Sequence, residues 1–222
     1  MQFDKWFKKT TQKSPKISSF RLYFNTTVFG LVVFAFFYAY NASLGIPSLL
    51  NKAVADAAVI LIGLSMMLSG LCYFWNFVDT KIIYRKYLGL IGFAFVIVHM
   101  LLSLSAFNKL VDPAAWQSGA VLPVIEASVA TAIFTIMALI SNAYAATELG
   151  GVVWRRILRT GYIALIFALM HVVLLKIDRW VTWWTEGVSR PPAGSLIVSV
   201  FIILVLVLRL ALWVSQVLSA KK

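Results

Sequence analysis

Cysteine is nearly absent from this chain of 222 residues: Cys72 stands alone in an apolar run, so neither a disulfide nor a thiolate metal site can be built within it. Histidine is almost as rare, with two, and eight acidic side chains face twenty Lys and Arg. Only 13% of residues are charged while 61% are hydrophobic, against roughly 45–50% apolar content in globular domains. That balance excludes a water-soluble fold and predicts a membrane protein. The net charge of +12 gathers in the N-terminal tail and in short loops. Such a distribution marks membrane topology and points away from nucleic acid. No small-residue cleavage pattern follows the first apolar stretch, so that stretch is expected to be retained as a span.

Crossing a bilayer core takes about 20 apolar residues per helix. Six stretches meet that length, at about 25–44, 54–77, 87–107, 121–145, 157–177 and 195–217. Between them lie Gly45 and Pro47, Asp79 to Lys86, Asp112 and Pro113, Glu148 to Arg156, and Arg190 with Pro191 and Pro192. The expected fold class is therefore all-α, a six-helix transmembrane bundle. Its layout is a basic tail over 1–24, a membrane domain over 25–217 and a short tail over 218–222. Lys and Arg concentrate in the tail, in the Lys81–Lys86 loop, in Arg155, Arg156 and Arg159, and in Lys221 and Lys222, which places those segments and both termini in the cytoplasm. Trp180, Trp183 and Trp184 are expected in the last external loop as interface anchors. No loop has room for a nucleotide-binding unit, which needs roughly 30 residues to begin. Any soluble electron donor must be a separate protein.

Ligating side chains inside a span are costly and mark candidate sites. His99 lies 14 residues beyond Arg85 in the third span, and His171 lies 15 beyond Arg156 in the fifth. At 1.5 Å per residue both are about 21–22 Å from the basic edge, so they share one level in the outer half of the bilayer. Two neutral imidazoles facing one another from neighbouring helices supply the axial nitrogens of one b-type haem iron. Phe93, Phe95, Phe167 and Met170 are expected as walls for such a flat apolar ring.

The stretch from Arg85 through Leu88-Gly89 to His99 resembles the third-span signature of the ferric reductase-like transmembrane domain superfamily. So does the run from Ser141-Asn142 through Leu149-Gly150 and Trp154-Arg155-Arg156 to Tyr162 and His171. The likeness covers about residues 54–177 and is nearest to the haem-binding membrane subunit of the periplasmic methionine-sulfoxide reductase system (MsrQ-like). It implies an electron-transfer oxidoreductase subunit of the inner cell membrane, with His99 and His171 as axial ligands of haem b. Electrons would come from a cytoplasmic-side flavoprotein or quinone and leave to a periplasmic reductase or other outer acceptor. Diheme members of the superfamily carry a further histidine pair nearer the cytoplasm. Here residues such as Lys86 and Leu158 hold those positions, which limits the chain to one haem and calls for a second carrier, FMN/FAD or a quinone.

Arg155 and Arg156, with Lys86 and Arg159, are the basic residues suited to a flavin phosphate or quinone, beside their role as topology markers. Lys176 and Arg179 are the first choices for haem propionates, ahead of Lys109. Glu126 and Arg209 are two further charges inside spans, one suited to proton handling and the other to snorkelling or to holding a cofactor substituent. A reading of a different class is a haem-free membrane scaffold in which the two histidines join helices by hydrogen bonds. A transporter is disfavoured, since no inverted repeat or pair of broken spans is visible.

Overall fold

The computed structural model describes residues 18–188 and 191–220. The basic tail before Ser18, Arg190 and the two closing lysines lie outside those residues. The described chain is all-α and contains no strand. Its helices are α1 (Ser19–Ser43), α2 (Leu49–Phe74), α3 (Arg85–Leu102), α4 (Pro113–Gln117), α5 (Leu122–Leu139), α6 (Ala143–Glu148), α7 (Gly150–Arg159), α8 (Gly161–Thr185) and α9 (Gly194–Ala220). Two 3-10 segments, Asn76–Tyr84 and Leu104–Leu110, flank α3. Among the described residues six helical stretches are long and apolar enough to cross a membrane: α1, α2, Asn76–Leu102 with α3, α5, Gly150–Thr185 with α7 and α8, and α9. Their outward faces, with side chains such as Phe36, Leu139 and Leu204 exposed, meet lipid.

Local chemistry sets the ends. Ser18 accepts a hydrogen bond from the Arg21 amide and so caps α1, which begins six residues before the expected 25. α2 starts at Leu49, five residues earlier than expected, because Asn51 and Lys52 fit its first turns and interrupt only the hydropathy. α8 runs on to Thr185, so Trp180, Trp183 and Trp184 stand on a helix and not in the external loop where the sequence placed them. Lys176, Asp178 and Arg179 end the apolar run but are compatible with helical backbone. The helix stops only at Gly187, whose φ is +81.

α2 is the central element, buried over 56% of its apolar stretch against 11–28% for the other five spans. It packs on α1, α3 and α9, while α5 pairs with α8. In lipid, helix association draws on close packing and interhelical hydrogen bonds more than on the hydrophobic effect. The contact face of α2 accordingly carries the small residues Ala53, Ala57 and Ala58, all at most 3% exposed. A continuous core runs through Ile62, Met66, Phe134, Leu165, Ile202 and Val205. The chain directions place His99 and His171 near one end of the bundle and Arg85, Arg159 and Arg209 near the other, hereafter the histidine and arginine ends.

Candidate cofactor site

α3 and α8 bring the two histidines together. Their ring centroids are 6.5 Å apart, with the ring planes inclined at 72°. Both rings line one cavity of about 900 Å³, within the roughly 300–1,000 Å³ of small-molecule and cofactor sites. It reaches from a polar rim of Asn41, Asn51, Lys52, Asp56, Lys176 and Arg179 down to Ile62, Phe134 and Leu165 in the core.

Each imidazole is held by its Nδ1. His171 Nδ1 lies 2.7 Å from the Pro123 carbonyl oxygen of α5, an acceptor only, so this nitrogen carries the proton and donates. His99 Nδ1 lies 2.6 Å from Asn51 Oδ1 of α2. The Asn51 amide nitrogen in turn donates to Ser103 Oγ at 2.9 Å, which turns its oxygen toward the ring and makes His99 Nδ1 a donor as well. Both Nε2 atoms therefore keep a lone pair, and among the described residues no hydrogen-bond partner is recorded for either. A ring whose Nδ1–H is anchored on an oxygen, with Nε2 left over, is the usual arrangement of a metal-binding histidine.

The rim holds a carboxylate that hydropathy gave no reason to single out. Asp56 of α2 is 5% exposed and accepts a hydrogen bond from the Asn41 side-chain amide of α1 at 2.9 Å, Asn41 itself being 1% exposed. Lys52 and Lys176 supply the opposing charge, and Gly194 at the start of α9 abuts the pair, since a Cβ there would lie 2.6 Å from Asp56 Oδ2. Asn51 and Asp56 stood at the polar edge of a span, where such residues pass for interface positions. A signal was nonetheless present: Lys52 and Asp56 stand four residues apart, a helical repeat that puts both on one face of α2.

Of the other expected site residues, Lys176 and Arg179 do line the histidine cavity. Lys109 does not. Arg155 and Arg156 are exposed on α7 and border neither this cavity nor the second one. The expected walls are also different. Phe93 borders the second cavity, Phe95 packs on Phe34, Phe167 packs against the core and Met170 faces outward, whereas Val96, Met100, Ala168 and Val172 line the space beside the rings. At about 100° per residue, Met170 points a quarter-turn away from His171, while Ala168 shares its face. Glu126 lies on α5 within electrostatic range of His171, and its buried Oε2 has no hydrogen-bond partner.

The second cavity, about 330 Å³, lies toward the arginine end between α3, α5 and α7 and shares Ile62 and Phe134 with the first. Lys86 and Leu158 both border it. Among the described residues no group of three or more His, Cys, Asp or Glu side chains is gathered as for a metal ion. No model of a known protein family matches the chain, and no curated protein matches it at a significant level.

Proposed function

We propose that this multi-pass membrane protein is a b-type haem carrier of the cell's inner membrane, moving electrons from a cytoplasmic-side flavin or quinone donor to an acceptor or reductase on the outer face. The observation that carries this reading is the histidine pair: two Nδ1-anchored imidazoles, centroids 6.5 Å apart, lining one cavity. A metal–imidazole bond of about 2 Å puts a ring centroid roughly 3 Å from the metal, so two imidazoles that would share one metal have centroids up to roughly 6 Å apart. The donor set also argues for a porphyrin over a bare ion. Zinc and its neighbours take three or four protein ligands, whereas the two nitrogens of His99 and His171 would suffice to hold a haem. The haem would supply one-electron redox chemistry.

The chain's own residues would orient and neutralise. Asn51 and the Pro123 carbonyl set the tautomer and pitch of the two rings. Lys52, Lys176 and Arg179 lie where a cofactor's carboxylates can be met, and Asp56 tempers that charge. The apolar floor of Val96, Phe134 and Leu165 excludes water. The test is the visible spectrum of purified protein reconstituted at one haem per chain. A low-spin b-type spectrum that is lost in both His99→Ala and His171→Ala is expected; a colourless wild type would end the proposal.

A second reading has a specific observation behind it, because each histidine ties its helix to another, His99 to α2 and His171 to α5. On that reading the chain is a haem-free scaffold. His99→Gln and His171→Gln would then leave thermal stability near wild type in a protein that never takes up haem.

A further inference from the structure

A buried carboxylate stands level with the histidine pair. α2 and α3 touch where a Cβ on Gly92 would meet Ile62, and again where Asn51 Nδ2 donates to Ser103 Oγ at 2.9 Å. Between those contacts each chain segment advances eleven residues in opposite directions. In that antiparallel register Asp56, six residues from Ile62, falls opposite His99, seven from Gly92. The Tyr162 hydroxyl of α8 donates to the Met66 carbonyl of α2 at 3.1 Å. From there Asp56 is ten residues on and His171 nine, roughly 15 and 14 Å of helix toward the same end. Asp56, His99 and His171 all line the one cavity.

The charge of this carboxylate is poorly matched. Asp56 is 5% exposed, and its hydrogen bond comes from a neutral group, the Asn41 amide of α1. Lys52, one turn away on the same face, donates instead to the Pro47 carbonyl. Lys176 and Arg179 of α8 border the same cavity, yet among the described residues no ion pair to Asp56 forms within 4.0 Å. α1 adds Tyr40, whose hydroxyl donates to the Pro192 carbonyl, and α9 begins beside Asp56 with the uncharged Gly194 and Ser195. A carboxylate so placed is costly to keep ionised, and binding a proton relieves the cost. An electron arriving at its level adds to that cost. Two buried charges about 10 Å apart, at an effective dielectric of about 20, change one another's proton affinity by about tenfold.

We propose that Asp56 is the proton-coupling group of the histidine site: its carboxylate binds one proton as the site accepts one electron, and releases it as the electron leaves. This rests on the haem reading. The electron enters from the flavin or quinone donor, reducing ferric iron to ferrous, and leaves to the outer acceptor. The proton comes from water at the polar rim of the cavity and returns there, so the charge of the site is the same before and after reduction. Glu126 of α5 also acts on His171 but does not line the cavity, and Asp178 borders it at an exposed position.

The experiment is a redox titration of the full-length protein with one haem per chain, followed by absorbance over about pH 5–9. The wild-type midpoint should fall by about 59 mV from the acid to the alkaline limit, the equivalent of tenfold for a one-electron couple. Asp56→Asn keeps the shape and an oxygen for the Asn41 amide; it should hold the potential near the acid limit and lose most of that fall. Asp178→Asn should keep it. A pH-independent wild type, an Asp56→Asn variant that retains the fall, or a fall lost in Glu126→Gln overturns the proposal. Should Asp56→Asn fail to fold or to bind haem, the wild type decides. Its reduced-minus-oxidised infrared difference spectrum must contain a carboxylic-acid carbonyl band that shifts in D2O and persists in Glu126→Gln, and its absence from either protein is equally fatal. A wild type that takes up no haem, seen in the visible spectrum before any potential is measured, ends the haem reading and this proposal together; haem bound at a potential indifferent to pH ends this proposal alone.

Discussion

Asn51 meets His99 on one side and Ser103 on the other, so a single amide determines which nitrogen of the ring faces the cavity. Replacing it by leucine keeps the volume and removes both bonds. Asn51→Leu is expected to cost about 1–2 kcal/mol of stability, because Ser103 and the His99 Nδ1–H lose their partners in a half-buried position. Under the haem reading it should also weaken haem binding by about 10- to 100-fold, the usual cost of losing a residue that orients a ligating histidine. Titration of the apoprotein with haem, followed by absorbance, measures the second effect separately from the first. Gly194 poses the opposite problem, of space. A Cβ there would stand 2.6 Å from Asp56 Oδ2 and 2.8 Å from Asn41 Oδ1, both on buried side chains already bonded to each other. Gly194→Ala should therefore part α9 from α1 and α2 at the histidine end, at about 1–3 kcal/mol, seen as a midpoint lowered by several degrees.

Among the elements, the closest approach that backbone alone determines is between α2 and α3. A Cβ on Gly92 would lie 2.7 Å from Ile62 Cγ1 and 3.0 Å from the Ile62 backbone nitrogen, and a backbone atom cannot rotate aside. On Gly89, one turn earlier, the nearest atom is Ser65 Oγ at 3.1 Å, a side-chain hydroxyl that can turn aside at the cost of its hydrogen bond to the Arg85 carbonyl. Gly92→Ala is expected to destabilise by about 1–3 kcal/mol and Gly89→Ala by clearly less. The pair can be ranked by thermal unfolding in one detergent, and a Gly89 variant as damaged as the Gly92 variant would refute the account. These elements also show what a sequence conveys in a membrane protein. The number of spans and the shared level of His99 and His171 were legible, because the length of an apolar run and the helical rise are fixed by the bilayer and the backbone. Helix ends were less so: polarity stops a hydropathy run at Lys176, while the backbone stays helical to Thr185. The walls of the histidine cavity were least legible. Whether Phe93 or Val96 faces the cavity depends on the rotation of α3 against α2, which the Gly92 contact sets and hydropathy does not record.

For the molecule as a whole, the proposed direction of electron flow depends on which end faces the cytoplasm. The described residues carry an asymmetry to argue from. Lys81, Lys86, Arg155, Arg156 and Arg159 cluster at the arginine end with Asp79 and Glu148, while Lys52, Lys109, Lys176 and Arg179 at the histidine end are interspersed with Asp56, Asp112, Asp178 and Glu186. Basic residues in short loops resist translocation and acidic ones contribute little, so the arginine end is expected inside and the histidine cavity toward the outer face. Cys72 is the single cysteine and is buried, which makes labelling clean once it is replaced. In a Cys72→Ala background, Gln117→Cys at the end of α4 and Glu148→Cys at the end of α6 both offer exposed positions at opposite ends. In intact cells a membrane-impermeant maleimide should modify the first and spare the second, and permeabilised cells should expose both. The reverse pattern would invert the bundle, put the histidine pair on the cytoplasmic side, and leave an outward electron transfer without its exit.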